Sequence, residues 1–416
     1  MPKMTLARAA ATLERRIDLL ARVSDDRGAT TRTFLSPAMR RANALVAGWM
    51  RGAGLSVRED SVGNLIGRTR APAKPRRTLI IGSHLDTVCD AGRFDGPLGV
   101  LLAIAAVEML RASGVSLPFD VEIVGFSEEE GVRFSSSYLG SRGFTGRLRK
   151  SDLAVRDSKG VSAGQVLSAH NRGRFSIPRP AHSRGELVGY LEVHIEQGPV
   201  LESMGLATGV VSAIAGQTRG MITFGGHAGH AGTTPMRLRA DALAGAAEFI
   251  IAVERLARAR PPLVATVGRI SAHPGAPNVI AGSASLSLDV RHPLDSKRQS
   301  ALRTLLAAGR AIASKRGLSF SFARTQDNDA VQCSAELTSL LSRSVRQCQG
   351  RSVALASGAG HDGVILSSIA PIAMLFVRCR KGLSHHPDEY VAPRDMAAAL
   401  GIVVDFLERL AARSPG

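Results

Sequence analysis

The 416-residue sequence is poor in the residues that define several common protein classes. Its four cysteines, Cys89, Cys333, Cys348 and Cys379, are widely spaced and form no CxxC pair. That excludes a disulfide-knit scaffold and a thiolate zinc site, and it fits a reducing cytoplasm. Aromatics make up 4% of residues, with Trp49 the single tryptophan. A base-stacking surface is excluded and the core must be aliphatic. No apolar run approaches the roughly 18–20 residues of a membrane span; the stretch from Gly99 to Leu110 is shorter and carries Glu108. Arg8, Glu14, Arg15, Arg16 and Asp18 interrupt the first segment, so it reads as an amphipathic helix and not a secretory signal.

Acidic residues are the scarcer charge, 35 against 53 lysines and arginines, for a net charge of +18. The excess is mostly arginine, spread along the chain without a block of five or six like charges. That argues against nucleic acid as a partner; a diffuse positive potential favours small anionic substrates instead.

What is present is an alternation of apolar strands and helices. Arg77–Ser83, Phe119–Phe126 and Tyr190–Ile195 read as buried strands, and Gly99–Ala112 as a helix between two of them. This pattern predicts an α/β catalytic domain with a mainly parallel sheet and helices on both faces. From about Val211 the order becomes β-α-β-β-α-β: strands near 219–224, 263–270, 285–291 and 318–324, with helices near 240–258 and 296–316. That is a ferredoxin-like α+β unit. The expected organisation is a catalytic domain over 1–212 and 328–416, interrupted by an inserted domain over 213–327.

Groups with metal-ligand chemistry fall where strands should end: Ser83-His84-Leu85-Asp86, Phe94-Asp95-Gly96, Ser127-Glu128-Glu129-Glu130-Gly131, His194-Ile195-Glu196-Gln197-Gly198, and His385-His386-Pro387. Open α/β sheets bind ligands at the carboxyl ends of their strands. Imidazole with carboxylate suits zinc, manganese, iron or cobalt, and two cations about 3.5–4 Å apart need a bridging carboxylate, for which Asp95 is the candidate. Taken singly, any of these residues has an ordinary structural explanation. Together they point to a metal centre.

The segments GSHLDTV, GRFDGPLGV, FSEEEGVRF, HIEQG, GHAGTTPM, GAGHD and SHHPDE resemble, in order, motifs of the di-metal amidohydrolases. That group includes allantoate amidohydrolase, N-carbamoyl-L-amino-acid hydrolase and β-ureidopropionase, and is related to the aminoacylase and carboxypeptidase clan. The resemblance implies a hydrolase of linear amide or ureido compounds with two divalent cations, Zn²⁺ or Mn²⁺, Co²⁺ or Ni²⁺ also being accepted in vitro. It implies His84, Asp95 and His194 around one cation and Asp95, Glu130 and His386 around the other. Glu129 would be the general base, although the triple glutamate leaves a one-residue slip open. His385 beside His386 is ambiguous, the pattern favouring His386. Asp86 would orient His84 from behind. In the inserted domain His230 would stabilise the oxyanion, while His227 is read as structural. Asn278 and Arg291 would bind the substrate carboxylate, and Gln197, Gly360 and His361 would complete the pocket. The inserted domain would serve as lid and homodimer contact. The competing readings are an aminoacylase or aminopeptidase on the same metals, and a binding protein that keeps the fold without catalysis.

Overall fold

A computed structural model of the chain describes residues 5–69 and 77–413; the ends of the expected catalytic domain, 1–4 and 414–416, lie outside them. The chain divides into two compact units.

The first unit comprises Met1–Ser212, Cys333–Leu355 and Gly360–Gly416. It opens with helices α1 (Leu6–Ala21) and α2 (Pro37–Gly52), started by Thr5 and Ser36, whose hydroxyls accept the amides of Arg8 and Met39 respectively. Its longer strands are β1 (Ser56–Glu59), β2 (Leu65–Arg68), β3 (Thr78–His84), β4 (Asp120–Phe126), β5 (Leu187–Ile195), β6 (Thr208–Ile214) and the late strand Ile372–Val377, with the short strands Val331–Gln332 and Ala354–Ser357 paired to β6. They lie in the order β1-β2-β4-β3-β5, then 372–377, then β6. The middle four, β4, β3, β5 and 372–377, are mutually parallel, and antiparallel neighbours flank them.

Side chains alternate across a strand. Leu79, Ile81, Val121, Ile123, Leu191, Val193, Ala373 and Leu375 enter one core with helix α1, helix α3 (Pro97–Ala112) and the C-terminal helices Ala335–Gln349 and Pro393–Ala411. The other face receives the intervening residues, among them His84, Glu192 and His194, and is met by the short helix Gly363–Leu366. Register on β3 and β5 pairs Ile81 with Leu191 and Gly82 with Glu192, which carries His84 and His194 to the same level. Helix α3 is apolar all round and buried from Pro97 to Val107, as a helix enclosed on every side must be. Gly99 lets it approach β5: a Cβ there would stand 2.1 Å from the Val193 carbonyl oxygen.

The second unit, Ala213–Gln332 with Ala356–Ala359, is an antiparallel sheet. Strands Ile270–His273, Ser283–His292, Gly216–Gly225 and Ser319–Asn328 lie in that order, which numbers them second, third, first and fourth along the chain, the arrangement of a split β-α-β. Helices Ala242–Ala259 and Asp295–Arg316 cover one face around Phe224, Phe249 and Leu286. The strand expected over 263–270 is two short ones, Val264–Thr266 and Ile270–His273. The break follows from Ser287, whose hydroxyl accepts the Gly268 and Arg269 amides at 3.2 and 2.9 Å and replaces the regular ladder there.

Candidate metal centre

The parallel strands deliver the chemistry. His84 ends β3, His194 is the penultimate residue of β5, and Glu128–Glu130 follow β4 after Ser127. Asp95 lies in the loop that opens α3. Three groups of potential ligand atoms lie within 4.8 Å of one another: His84, Asp95 and His194; Asp95, Glu130 and His385; and His84, Glu129 and Glu130. Asp95 belongs to the first two, as a bridging carboxylate must.

The histidine that meets Asp95 and Glu130 is therefore His385 and not the expected His386. At φ 56° the chain turns at His385, and its Nε2 lies 3.2 Å from Glu130 Oε1 and 3.5 Å from Asp95 Oδ2. The His386 ring is half exposed, and its Nδ1 accepts the Asp388 amide at 3.1 Å within the next turn.

The donor set can be tested for a cation directly. His84 Nδ1 is 3.0 Å from the Asp86 carbonyl oxygen, and His194 Nδ1 is 2.9 Å from that of Ile195. A carbonyl only accepts, so each Nδ1 carries the proton and each Nε2 presents a lone pair. Those Nε2 atoms stand 3.4 and 3.0 Å from Asp95 Oδ1. That oxygen is buried and accepts no hydrogen bond of sound geometry. Three electron-pair donors facing one another in a dry site repel unless a positive charge lies among them. Metal bonds of about 2.0–2.2 Å at tetrahedral angles separate ligand atoms by about 3.4 Å, close to these distances. Without a cation that positive charge has to come from protons: burial opposes protonation of both rings, yet Asp95 and its acidic neighbours draw His84 well above, and His194 above, the ordinary imidazole value, and a bound cation would take the protons' place. The residues fit a cation.

The acids around the cluster say the same. Burial pushes Glu128, Glu129 and Asp362 well above the ordinary carboxylate range and raises Asp86 and Glu192. So dense a set of buried acids calls for compensating positive charge.

Comparison with known proteins agrees with this geometry. Residues 80–409 match the family described as Peptidase family M20/M25/M40. The chain belongs to that family. It is 40% identical to an allantoate deiminase of Arabidopsis thaliana over 94% of this chain and 81% of the relative. It is 38% identical to an N-carbamoyl-L-amino acid amidohydrolase of Geobacillus stearothermophilus, over 92% and 94%. A hydantoinase/carbamoylase family amidase from Burkholderia multivorans superposes with a TM-score of 0.91 at 30% identity, covering 98% of each chain. M20 enzymes are di-metal hydrolases, and this chain is an amidohydrolase among them.

Within this M20 chain Asp86 does more than expected. Its carbonyl holds His84, while its carboxylate accepts the Glu129 amide at 3.1 Å on both oxygens and the Glu130 amide at 3.1 Å. One residue thus fixes groups from two strand ends. Gln197, expected against substrate, donates to Asp95 Oδ2 at 2.8 Å, and its Oε1 is buried without a partner. The His361 ring stands edge-on to His194 at 4.6 Å. Gly360 packs on the Tyr138 hydroxyl, which a Cβ would meet at 1.9 Å.

In the second unit His230 and Val279 pair across a two-stranded ribbon, and the Ala231 amide donates to the Asn278 carbonyl at 2.9 Å. His230 and Asn278 are both exposed there, and His227 is exposed as well. Arg291 does not stand free. Asp289 takes its Nε and Nη2 at 2.9 and 2.8 Å, and Gly358 accepts from Nη1.

Sequence reasoning missed Glu389, Ser384 and Tyr138. Glu389 and Ser384 sit inside the quoted SHHPDE motif and were passed over for its histidines; Tyr138 carried no signal in the sequence.

Proposed function

We propose that this amidohydrolase hydrolyses a linear ureido compound bearing a carboxylate, an N-carbamoyl-L-amino acid or allantoate. His84, Asp95 and His194 would hold one divalent cation, and Asp95, Glu130 and His385 the other, Zn²⁺ or Mn²⁺ both suiting imidazole and carboxylate. The observation that carries the reading is Asp95, shared by two ligand groups with two imidazole lone pairs on one of its oxygens. It is supported by the relatives, one named for allantoate and one for N-carbamoyl-L-amino acids.

Bound divalent cations supply Lewis acidity, which acidifies water and polarises a carbonyl. Glu129, adjacent to Glu130 and held through its amide by Asp86, is proposed as the general base, the role that the family resemblance implies. It takes the proton from the attacking water and returns it to the departing nitrogen. With an N-carbamoyl amino acid, one water is consumed and the amino acid, CO₂ and ammonia are released. His230 is proposed to stabilise the oxyanion, and Asn278 and Arg291 to bind the carboxylate, a planar fork suiting a planar acid. The inserted unit is proposed as lid and homodimer contact, and the compartment as the cytoplasm, where the four free cysteines would stay reduced. Among the described residues no helix is long and apolar enough to cross a membrane.

The test is ammonia release by the chelated and metal-reconstituted enzyme on allantoate, N-carbamoyl-L-methionine, β-ureidopropionate and ureidoglycolate. Turnover of at least one of these with added Zn²⁺ or Mn²⁺ is expected. Turnover confined to peptides or N-acyl amino acids would refute the ureido reading.

A further inference from the structure

Glu389 is buried and lies far along the chain from the Asp95 loop. Its Oε1 accepts the Phe94 amide at 2.7 Å and the Asp95 amide at 3.0 Å. Its Oε2 is buried with no partner. Gly92 leaves room for the carboxyl, since a Cβ there would stand 2.3 Å from Glu389 Cδ and 2.4 Å from Oε1. Neighbours brace the same junction: Phe94 and Tyr390 meet edge to face at 6.2 Å, and the Ser384 hydroxyl donates to Asp95 Oδ2. The Glu389 amide in turn donates to the His386 carbonyl at 3.0 Å, which closes the turn just after His385.

One carboxylate oxygen therefore ties the loop that carries Asp95 to the turn that carries His385. Backbone amides at a loop have no regular partner of their own, and a buried acceptor is what fixes them. We infer that Glu389 is a positioning residue for the cation pair, clamping the Asp95 loop onto the His385 turn so that the shared carboxylate and the late imidazole meet in one geometry. The inference rests on the two-cation reading above. What it adds is that the second site forms only when this clamp is closed. It acts through hydrogen-bond acceptance, so glutamine, which keeps a carbonyl oxygen at the same reach, should preserve it, and alanine should not.

The experiment uses the full-length protein as Glu389→Ala, Glu389→Gln and Gly92→Ala, with Asp95→Asn as control. Zn²⁺ affinity and stoichiometry are read by competition with a chromophoric chelator, and folding by circular dichroism of the metal-free proteins. Loss of such an outer partner typically costs about 10–100-fold in metal affinity. Glu389→Ala should show that loss at unchanged secondary structure, with Glu389→Gln within a few-fold of the parent. Gly92→Ala, which displaces the carboxyl without removing it, should repeat the loss and decides the matter if Glu389→Ala does not fold. Parental affinity in Glu389→Ala or Gly92→Ala, or equal damage in Glu389→Gln, overturns the clamp. Tight binding of two Zn²⁺ by Asp95→Asn would instead overturn the cation reading beneath it.

Discussion

Substituting Gly99 by alanine tests whether the close approach of helix α3 to the sheet sets the metal centre. The added methyl would stand 2.1 Å from the Val193 carbonyl oxygen, 3.2 Å from its carbon and 3.0 Å from Ser83 Cβ. Tolerable carbon–oxygen contacts begin at about 3.3 Å, so helix and strand must separate by roughly 1 Å. All the obstructing atoms are backbone or Cβ, which cannot swing aside. Overpacking of this kind costs about 1–3 kcal/mol. The displaced elements are the ones that matter: Val193 precedes His194, Ser83 precedes His84, and Gly99 opens the helix that follows Asp95. Metal bonds tolerate about 0.2 Å, so a 1 Å shift should cost at least tenfold in Zn²⁺ affinity. Thermal unfolding with and without Zn²⁺ reads both effects. The variant should unfold several degrees lower without metal and should lose much of the further rise that metal gives the parent. Parental affinity together with stability within about 0.5 kcal/mol of the parent would show that the helix is not held this close to β5.

Glu129→Gln should keep both cations, as measured by metal content, while ammonia release falls by about 10²–10⁴-fold, the usual contribution of a positioned base; a rate near that of the parent would remove Glu129 from the chemistry. His385→Ala should lose one cation per subunit and most activity, whereas His386→Ala should resemble the parent, and the reverse result would restore His386 as the ligand. Chelation should abolish activity and lower the unfolding midpoint, and Zn²⁺ or Mn²⁺ at about 100 times its dissociation constant should return about 2.7 kcal/mol of stability; a midpoint indifferent to metal would contradict a site built into the fold.

Much of the fold could be read from the pattern of apolar residues, because the central strands are buried on both faces and show as apolar runs such as Leu79-Ile80-Ile81. The strand 372–377 is such a run, Ile-Ala-Met-Leu-Phe-Val, buried throughout. The break at 267–269 was not, because it depends on one hydroxyl, Ser287, reaching across from the neighbouring strand. At the site, His84, Asp95, His194, Glu129 and Glu130 stood out because each sits at a predicted strand end or in a glycine-flanked turn. Two adjacent histidines carry identical chemistry, and spacing alone does not show that the left-handed backbone at His385 turns its ring toward Asp95 and Glu130. Glu389 lay inside a quoted motif, but its part was illegible for a related reason: it accepts main-chain amides of a distant loop, which leave no trace in side-chain spacing. Arg291 was recognisable at the end of SLSLDVR, but its pairing with Asp289 two residues earlier became visible only once both were seen on one face of the strand.

The position of strand 372–377 between β5 and β6 bears on how the protein is made. Both neighbours leave the ribosome before the whole second unit is synthesised. At about 5–20 residues per second their inner edges wait on the order of 10–30 s for the strand that belongs between them. An unpaired edge of this kind invites pairing with whatever strand is near, including β5 with β6 or with another nascent chain. Slowing synthesis of residues 215–371, which separate β6 from the late strand, should therefore lower the yield of folded protein.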